Sequence, residues 1–481
     1  MSARIENAIA ALRAVAARPD PTRPLPLSSI ARDARASLST VSRLCAELAD
    51  IGLLARADDY GSFRVGSRAL ALSGRASAAL APVVRFELHR IAQESTETVA
   101  LAAPETGGAR VLATVGSGWT LHVPVTLGEL VTDERRAVVR AARGGDGLVE
   151  SQLGRAVEIA VRLTTPDGRT VAALAVSLPV YRAARARPRV RRVLADARRA
   201  FEQALAEAHV GPGRGDAAAV EPTRALEAAT RVLEHLADGP DSVAGIAAAA
   251  RLRPDRVRRM VDALVRAGTV AHDAESDRLH LDLALHAWHR AATEPLLART
   301  GPARAAATAA RAEACVFVTA LKGMRSFTLV EHIEPLAEGL IMAPWLGRPH
   351  PLVGSDGGPT LAMDFTLDQL GALFPRRHGA AEYAQFTGRV ERVRADGVLT
   401  MESIDEFGIT SISAPVRDAA GQVAAAACIV GATENVKPRL AGLEAAARAL
   451  AAELSADLHA PGSASIPALA PMGVAPIPPR R

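Results

Sequence analysis

The stretch LSSIARDARASLSTVSRLCAELADIGLL, from Leu27 to Leu54, predicts two short helices joined by a tight turn. Ser37 is placed to cap the second helix, because its hydroxyl can accept a hydrogen bond from the unpaired amides of the first turn. Apolar residues then recur at helical spacing and predict one buried stripe: Val41, Leu44, Cys45 and Leu48. The side chains left exposed near the start of this helix are those of Ser39, Thr40, Ser42 and Arg43.

The residues on either side extend this pattern to a winged helix-turn-helix. Residues 4–17 predict an amphipathic first helix, and LLARADDYGSFRVG after Gly52 predicts a hairpin that turns at residues 58–61. An exposed helix N-terminus carries partial positive charge and can enter a major groove, while the hairpin contacts the neighbouring backbone. We expect Arg43 and Arg64 to contact phosphate or a guanine edge. The alternative is a helical hairpin that serves only packing.

The same unit recurs 216 residues later, as VAGIAAAARLRPDRVRRMVDALVRAGTV from Val243 to Val270. Core and turn positions match, for example Ile30 with Ile246 and Gly52 with Gly268. The exposed positions differ, because basic and acidic residues replace the hydroxyl side chains. A second DNA-contacting set, suited to phosphate clamping, is therefore predicted at Arg253, Arg256, Arg258 and Arg259.

Composition limits the possible classes. A chain of 481 residues with 49% hydrophobic and 3% aromatic residues predicts several globular α+β domains. The formal charge of +5 comes almost wholly from arginine and favours nucleic acid only weakly. The three cysteines show no CxxC spacing, so we expect no disulfide, no metal site and no cofactor. No signal peptide or membrane-spanning run is evident, which predicts a cytoplasmic protein that does not bind membranes.

Six segments are predicted along the chain. They are a winged helix-turn-helix at 1–75, a shortened effector-like domain at 76–210, a linker at 211–222, a second winged helix-turn-helix at 223–290, a full effector-binding domain at 291–459 and a disordered Pro- and Ala-rich tail at 460–481. Residues 67–92 predict one long connecting helix. The strands predicted for the first effector-like domain are 98–103, 110–115, 120–125, 158–163 and 170–178, and residues 189–208 predict its closing helix.

These motifs resemble the IclR family of bacterial transcriptional regulators, twice over. LSTVSRLCAELADIGLL and YGSFRVGSRALALSG are similar to the family's reading helix, wing and linker. GRPHPLVGSDGGPTLAM at 347–363 and DEFGITSISAPVRDAAGQVAAAACIVG at 405–431 are similar to parts of its effector domain. The resemblance implies two winged helix-turn-helix domains and two α/β effector domains of the GAF or profilin-like kind. Together they would form an intramolecular pseudo-dimer.

The two halves are unequal in length. The interval from Gly128 to Gly168 is 34 residues shorter than that from Gly347 to Gly421. By the resemblance, the missing part contains the Pro-Leu motif and the helices that wall the ligand pocket. The first half is therefore interpreted as the better DNA reader with a degenerate sensor, and the second half as the intact sensor with an altered reader.

The resemblance also places an effector site in the second half. Ser355, Asp356 and Gly357 follow the Pro-Leu turn, and Met342 and Trp345 are candidate walls. The family's remaining pocket positions fall on Met401, Ser411, Cys428 and Val430. Because apolar or softer groups replace several polar ones, an aromatic or largely apolar metabolite is expected. The alternative is a sensor core that has lost its ligand.

Three other constellations were considered. His286 and His289 with Asp282 suggest a metal site, but no third convergent ligand is evident beyond them. Ser411 and Ser413 have no histidine nearby in sequence, so no enzyme is predicted. The arginine run at 182–199 is interpreted as a solvated helix face, with backbone DNA contact as the alternative.

The predicted function is that of a ligand-responsive transcriptional regulator, with repression of a catabolic operon as the expected mode. Its expected partners are a double-stranded operator, an imperfect palindrome, and a small-molecule effector. The two-unit chain is also expected to associate with itself as a dimer. The alternative is a co-regulator that uses the winged-helix pair to bind another protein and makes no specific DNA contact.

Overall fold

The structure is a computed structural model that describes residues 2–208, 224–273, 276–334, 342–374, 378–403 and 407–460. A unit of three helices with a small sheet is followed by a domain built on a six-stranded sheet, and this order then occurs a second time. The mixed α+β class is thus confirmed. The predicted linker at 211–222 lies outside the described residues, as does the predicted tail beyond Ala460.

The first three-helix unit contains the predicted helices and hairpin. Its elements are α1 (Ser2–Ala16), β1 (Leu25–Pro26), α2 (Leu27–Asp33), α3 (Leu38–Asp50), β2 (Leu54–Arg56) and β3 (Ser62–Val65). Strand β1 pairs with β3 and adds a third strand that the sequence pattern did not indicate. The predicted apolar stripe of α3 is buried, and α3 packs against α1. Its opposite face is left for solvent.

The linker after this unit is two helices, so the prediction of a single helix at 67–92 is wrong. Helix α4 (Ser67–Ala78) ends before α5 (Ala81–Ser95) begins. Pro82 lies in the first turn of α5 and has no amide hydrogen to donate to the carbonyl four residues earlier. The interruption at Ala79 and Leu80 follows from that missing hydrogen bond.

The first sheet domain has six antiparallel strands in the order β6-β5-β4-β9-β8-β7. Its elements are β4 (Thr98–Glu105), β5 (Gly108–Val115), β6 (Leu130–Val131), α6 (Ala137–Ala142), β7 (Leu148–Leu153), β8 (Ala156–Thr164), β9 (Thr170–Pro179) and α7 (Val180–Ala208). The strand predicted at 120–125 is wrong: the segment is irregular, and Pro124 within it cannot donate to a ladder. Helix α7 begins nine residues earlier than the helix predicted at 189–208.

The second three-helix unit has three helices and a hairpin in the same order. Its elements are α8 (Ala225–Ala237), α9 (Val243–Ala250), α10 (Pro254–Arg266), β10 (Val270–Asp273) and β11 (Arg278–Leu281). A short 3-10 turn at Leu283–His286 leads into α11 (Ala287–Ala312), which continues through Pro295 and Pro302. The linker of this half is therefore a continuous helix, unlike the interrupted linker of the first half.

The second sheet domain has the same strand order as the first, β14-β13-β12-β17-β16-β15. Its elements are β12 (Cys315–Leu321), β13 (Arg325–His332), β14 (Pro349–Pro351), α12 (Gly358–Ala362), α13 (Leu367–Leu373), α14 (Ala380–Asp396), β15 (Leu399–Glu402), β16 (Ile409–Arg417), β17 (Val423–Ala432), α15 (Thr433–Val436) and α16 (Leu440–His459).

The length difference between the sheet domains falls at α13 and α14. The first domain retains the short edge strand β6 and the short helix α6 at the places of β14 and α12. The expectation that the first half lacks the Pro-Leu segment is therefore wrong as to structure, because the edge strand and short helix at that place are kept. Among the described residues, the elements without a counterpart are the two helices α13 and α14.

Each sheet has an outer face packed against long helices and an inner face packed against short ones. The outer face contacts α5 and α7 in the first domain, and α11 and α16 in the second. The inner face is covered by α6 in the first domain. In the second domain α12, α13 and α14 contribute to the core on the inner face. The predicted effector residues belong to this second inner face.

Candidate nucleic-acid interface and effector site

The start of α3 presents hydroxyl groups and one guanidinium to solvent. Ser37 caps the helix as predicted, since its Oγ accepts from the Thr40 amide at 3.3 Å and lies 2.9 Å from Thr40 Oγ1. These contacts occupy the Ser37 hydroxyl within the helix. Ser39, Ser42 and Arg43 are exposed, whereas Thr40 is half-buried. The first turn of α3 contains no acidic residue, so its partial positive charge is not neutralised locally.

The hairpin beside α3 differs from the prediction in which arginine it exposes. Arg64 is half-buried, and its Nε is buried without a hydrogen-bond partner. Arg56 is exposed, with its guanidinium carbon 5.7 Å from the centre of the Phe63 ring. Sequence reasoning did not select Arg56, although a basic residue on the strand before the turn was a usable signal.

The turn between α2 and α3 also carries an exposed arginine. Arg35 has a φ of 52°, and Arg251, 216 residues later, has a φ of 51°. Non-glycine residues adopt this left-handed conformation rarely, because the side chain crowds the following carbonyl. The two turns therefore share an uncommon backbone geometry that their sequences alone did not indicate.

Helix α10 exposes a more basic surface than α3. Arg253, Arg258 and Arg259 are exposed and Arg256 is half-buried. In contrast with α3, α10 has an acid in its first turn, and this acid, Asp255, accepts from Arg258 Nη1 at 3.0 Å. Part of the positive charge predicted for phosphate contact is thus compensated within the helix.

The two three-helix units pack against each other through α1. Arg13 Nη1 donates to the Ala267 carbonyl at the end of α10 at 2.7 Å, and Glu6 pairs with Arg266 at 2.8 Å. Arg68 of α4 pairs with Glu227 at 2.8 Å and Glu234 at 2.6 Å, both on α8. These contacts hold α3 and α10 in one arrangement within a single chain.

A buried polar contact joins the two linkers. Ser73 Oγ lies 2.9 Å from His289 Nδ1 and donates to the Leu285 carbonyl at 2.6 Å. Burial lowers the pKa of His289 well below its ordinary value, which keeps the ring neutral. The metal site considered at His286, His289 and Asp282 has other contacts instead, because Asp282 accepts from the Ala284 amide. Among the described residues no group of three metal-binding side chains occurs.

The structure brings together the four effector residues predicted on strands. Met401, Ser411 and Val430 are direct neighbours across β15, β16 and β17, and Cys428 lies one row away on the same face. All four are buried. The Ser411 hydroxyl donates to the Met401 carbonyl at 3.5 Å, so its hydrogen bonding is weak.

The loop before α12 lies directly on this inner face. A Cβ at Gly357 would be 2.7 Å from Thr319 Oγ1 and 3.1 Å from Cys428 Sγ, so glycine permits the close approach. Ser355 is buried and Asp356 is half-buried. Burial, followed by the negative charge of Asp356, raises the pKa of Cys428, and the thiol is therefore uncharged.

Met342 and Trp345 lie at the edge of the same core and are partly buried. The Trp345 amide donates to Glu331 Oε2 at 2.7 Å, and the ring meets His350 edge-on with centroids 5.4 Å apart. Both residues therefore flank the inner face on the β13 and β14 side. This placement is compatible with the predicted role as walls.

Sequence reasoning missed several residues of this site. Phe365 and Phe386 are almost completely buried in the layer of α12 to α14, and Thr360 Oγ1 lies 2.7 Å from Ser413 Oγ. Helical spacing of Phe386 with later apolar residues was an available signal. The contact of Arg85 had none, because this side chain comes from α5 of the first half. It donates to the carbonyls of Leu361 at 2.5 Å and Val423 at 2.7 Å.

Comparison with known proteins matches each half to one family domain. Residues 5–58 match the IclR helix-turn-helix domain, and residues 308–456 match the C-terminal domain of bacterial IclR transcriptional regulators. No curated protein matches the sequence. Within the described residues, no helix is long and apolar enough to span a membrane.

Solved structures with similarity to the chain include three regulators. HmgR of Pseudomonas aeruginosa is 23% identical, with 48% of this chain and 98% of that chain covered and a TM-score of 0.35. A putative IclR-family regulator of Rhodococcus sp. is 22% identical, with 50% and 96% covered and a TM-score of 0.37. An IclR-family regulator of Brucella abortus is 21% identical, with 49% and 90% covered and a TM-score of 0.28. From the two domain matches, the chain carries the helix-turn-helix domain of the IclR family of bacterial transcriptional regulators in its first half and the C-terminal domain of that family in its second.

Proposed function

We propose that this chain is a ligand-responsive, DNA-binding regulator that contains two family units in tandem and works as an intramolecular dimer. Helix α3 reads bases through Ser39, Ser42 and Arg43, and α10 holds phosphates through its arginines. The second sheet domain binds the effector, a small and largely apolar or aromatic metabolite. Repression of a catabolic operon in the cytoplasm is the mode we favour.

The contact between Ser73 and His289 supports the intramolecular dimer. These residues are 216 positions apart, which is also the spacing that relates the two three-helix units in sequence. In a two-fold interface, a residue on the axis contacts its own equivalent. Equivalent positions of α4 and α11 meet in this way within one chain. The same interface leaves the outer surfaces of both sheet domains available, and we propose that two chains associate through them.

The observation that carries the DNA-binding proposal is the surface of α3. A buried apolar stripe fixes one side of the helix, and exposed hydroxyl and guanidinium groups occupy the other side at its N-terminal end. Such groups can donate to and accept from base edges in the major groove. The α10 surface is unlike it, so an operator with two unlike half-sites, an imperfect palindrome, is expected.

Arg85 supports a route from the effector site to the DNA-binding units. Its guanidinium is buried between α5 and the second sheet domain, with its carbon 5.0 Å from the centre of the Phe365 ring. A ligand that moves α12 on the inner face would change the Leu361 carbonyl that Arg85 contacts, and with it α5 and α4. The ligand then shifts the equilibrium between two arrangements only if it binds them with different affinity.

DNA binding to the upstream region of the chain's own gene is the central test. Arg43→Ala should reduce specific affinity by about 1–3 kcal/mol and relax the base preference. A variant with alanine at Arg253, Arg256, Arg258 and Arg259 should weaken binding to all sequences and flatten the slope of log K against log salt by about 0.9 for each lost phosphate contact. Arg439→Ala, far from both reading helices in sequence, is the control.

Identical behaviour of the two variants would contradict the division of labour between α3 and α10. Absence of specific binding at about 150 mM salt, where non-specific contacts are weakened, would support the co-regulator alternative. The effector proposal has a separate readout, thermal stabilisation by small aromatic acids and related compounds. No stabilisation by any of them would favour a sensor without a ligand.

A further inference from the structure

A cavity of about 500 Å³ lies away from the effector site, between the two halves. Its walls come from the interrupted linker at Ala78 to Leu80, from the first sheet domain and from the second three-helix unit. The volume is in the range of small-molecule sites. The large apolar side chains that line it are Leu80, Val171, Leu205, Leu236, Leu281 and Leu283.

The interruption of the linker is what places residues at this cavity. Ala78, Ala79 and Leu80 lie at the join between α4 and α5, where the first-half helix changes course. In the second half, the corresponding part of α11 continues as one helix. The cavity is therefore a feature of the difference between the two halves and has no part in the inner face of either sheet.

The charged groups in the cavity wall compensate each other. Arg75 pairs with Asp238, and the charge of Arg169 acts on Asp282, whose own Oδ1 accepts from the Ala284 amide at 2.8 Å. Arg169 also contacts His280. A charged ligand would add a net charge to a wall whose charges already balance, which is costly in a mostly apolar space. The wall therefore favours a neutral ligand.

His286 supplies a polar group that the protein leaves without a partner. Its side chain is 4% exposed and lines the cavity, and within the described residues its ring nitrogens have no hydrogen-bond partner. Burial lowers the pKa of His286 to about 3, so the ring is neutral and has one donor and one acceptor nitrogen. A buried polar group of this kind gains from a ligand hydroxyl.

We propose that this cavity is a second small-molecule site, separate from the effector site, which binds a neutral aromatic alcohol such as a phenol. The apolar walls hold the ring, and the hydroxyl hydrogen-bonds with His286. A bound molecule contacts the linker, the first sheet domain and the second three-helix unit together.

The probe is 2-naphthol, compared with naphthalene, which lacks the hydroxyl, and with 2-naphthoate, which is charged. Titration followed by calorimetry or ligand fluorescence should show 2-naphthol binding about tenfold more tightly than either analogue, the value of one hydrogen bond of about 1.4 kcal/mol. His286→Leu should remove this preference while naphthalene affinity stays the same. Ala76→Phe, which fills the cavity from α4, should abolish binding of both. His122→Leu, an exposed histidine elsewhere, is the control.

Absence of 2-naphthol binding to the unmodified chain would overturn the proposal. Binding that persists unchanged in His286→Leu and Ala76→Phe would also overturn it, because the probe would then occupy the effector site or another surface. The experiment needs no DNA and does not use the inner face of the second sheet. Its failure therefore leaves the proposed regulatory function to be judged by the DNA and effector tests.

Discussion

The inner faces of the two sheets are built on the same strand order but are filled differently. In the first domain, Glu158 occupies the register position that Ser411 holds in the second. The Glu158 carboxylate accepts from the Val138 amide at 2.9 Å, from Arg136 Nη2 at 2.5 Å and from Ser177 Oγ at 3.3 Å. The first domain thus places its own carboxylate at the start of α6, on the face that would receive a ligand.

The covering layers differ in the same sense. Small residues on the first inner face, such as Ala100, Ala102 and Ala175, allow α6 alone to close it. On the second inner face, three helices contribute large side chains including Phe365 and Phe386. A domain that loses two helices must refill the space they leave, because voids in a protein interior are costly. The first domain is accordingly a closed structural copy, whereas the second retains the layer that a ligand could move.

The largest expected effect is on the helical layer found only in the second domain. Phe386→Ala removes a nearly fully buried aromatic ring and should lower the free energy of unfolding by about 3–5 kcal/mol. Val138→Ala, in the layer of the first domain, removes two methyl groups and should cost only about 1–2 kcal/mol. Urea denaturation followed by circular dichroism measures both. Equal losses would mean that the two covering layers contribute alike.

The internal carboxylate gives the next effect. Glu158→Gln removes the charge from three hydrogen bonds and should lower the free energy of unfolding by about 1.5–3 kcal/mol. Ser411→Ala, at the matching position, loses only a long hydrogen bond and should cost less than about 1 kcal/mol. The same denaturation measurement applies. A negligible cost for Glu158→Gln would show that the carboxylate does not stabilise α6.

The pH dependence of stability separates another matched pair. His286 lies 216 residues after Leu70, and burial lowers the pKa of His286 to about 3. Because the unfolded chain takes up this proton near pH 6.5 and the folded chain does not, stability should fall with decreasing pH between about 6.5 and 3. His286→Leu should flatten that slope by up to about 1.4 kcal/mol per pH unit.

A residual slope should remain in His286→Leu, because burial also lowers the pKa of His89, to about 4. Between pH 7.5 and 8.5 the variant and the unmodified chain should show the same slope, which serves as the internal control. An unchanged slope between pH 5 and 6.5 in the variant would contradict the neutral state of His286 in the folded chain.

The smallest effect concerns the turns that the two halves share. Arg35→Gly and Arg251→Gly replace exposed side chains at φ angles of 52° and 51°, where glycine is less strained. Each should raise the free energy of unfolding by about 0.5–1 kcal/mol. Thermal denaturation of both variants is sufficient. Unequal or opposite changes would show that the two turns are equivalent in shape but differ in their surroundings.

Local features of the fold followed from short stretches of sequence. The Ser37 cap, the buried stripe of α3, the hairpin turn and the repeated three-helix order depend on residues within a few positions of one another. The misplaced linker helix shows the limit of this reasoning, since helical spacing continued across residues 79 and 80 while Pro82 removed the hydrogen bond needed there. The false strand at 120–125 has the same kind of cause.

The predicted effector positions fell on one face because β-strands alternate their side chains and the strand order repeats between the domains. The layer that covers them was less accessible to prediction. Trp345 and Met342 were selected, whereas Phe365 and Phe386 were not, because burial in a helical layer depends on how that layer docks. Nothing in the sequence near Arg85 indicated a contact with a carbonyl 276 residues away.

By itself, the sequence determined the helix-turn-helix surface of α3, the duplicated order of elements and the inequality of the two halves. Only the tertiary structure decided that equivalent linkers meet at Ser73 and His289, that Glu158 fills the first inner face and that a cavity opens beside the interrupted linker. The physical reason is range. Capping, periodicity and turns are set by neighbouring residues, whereas buried charges, cavities and helix crossings depend on groups that chain folding brings together from distant positions.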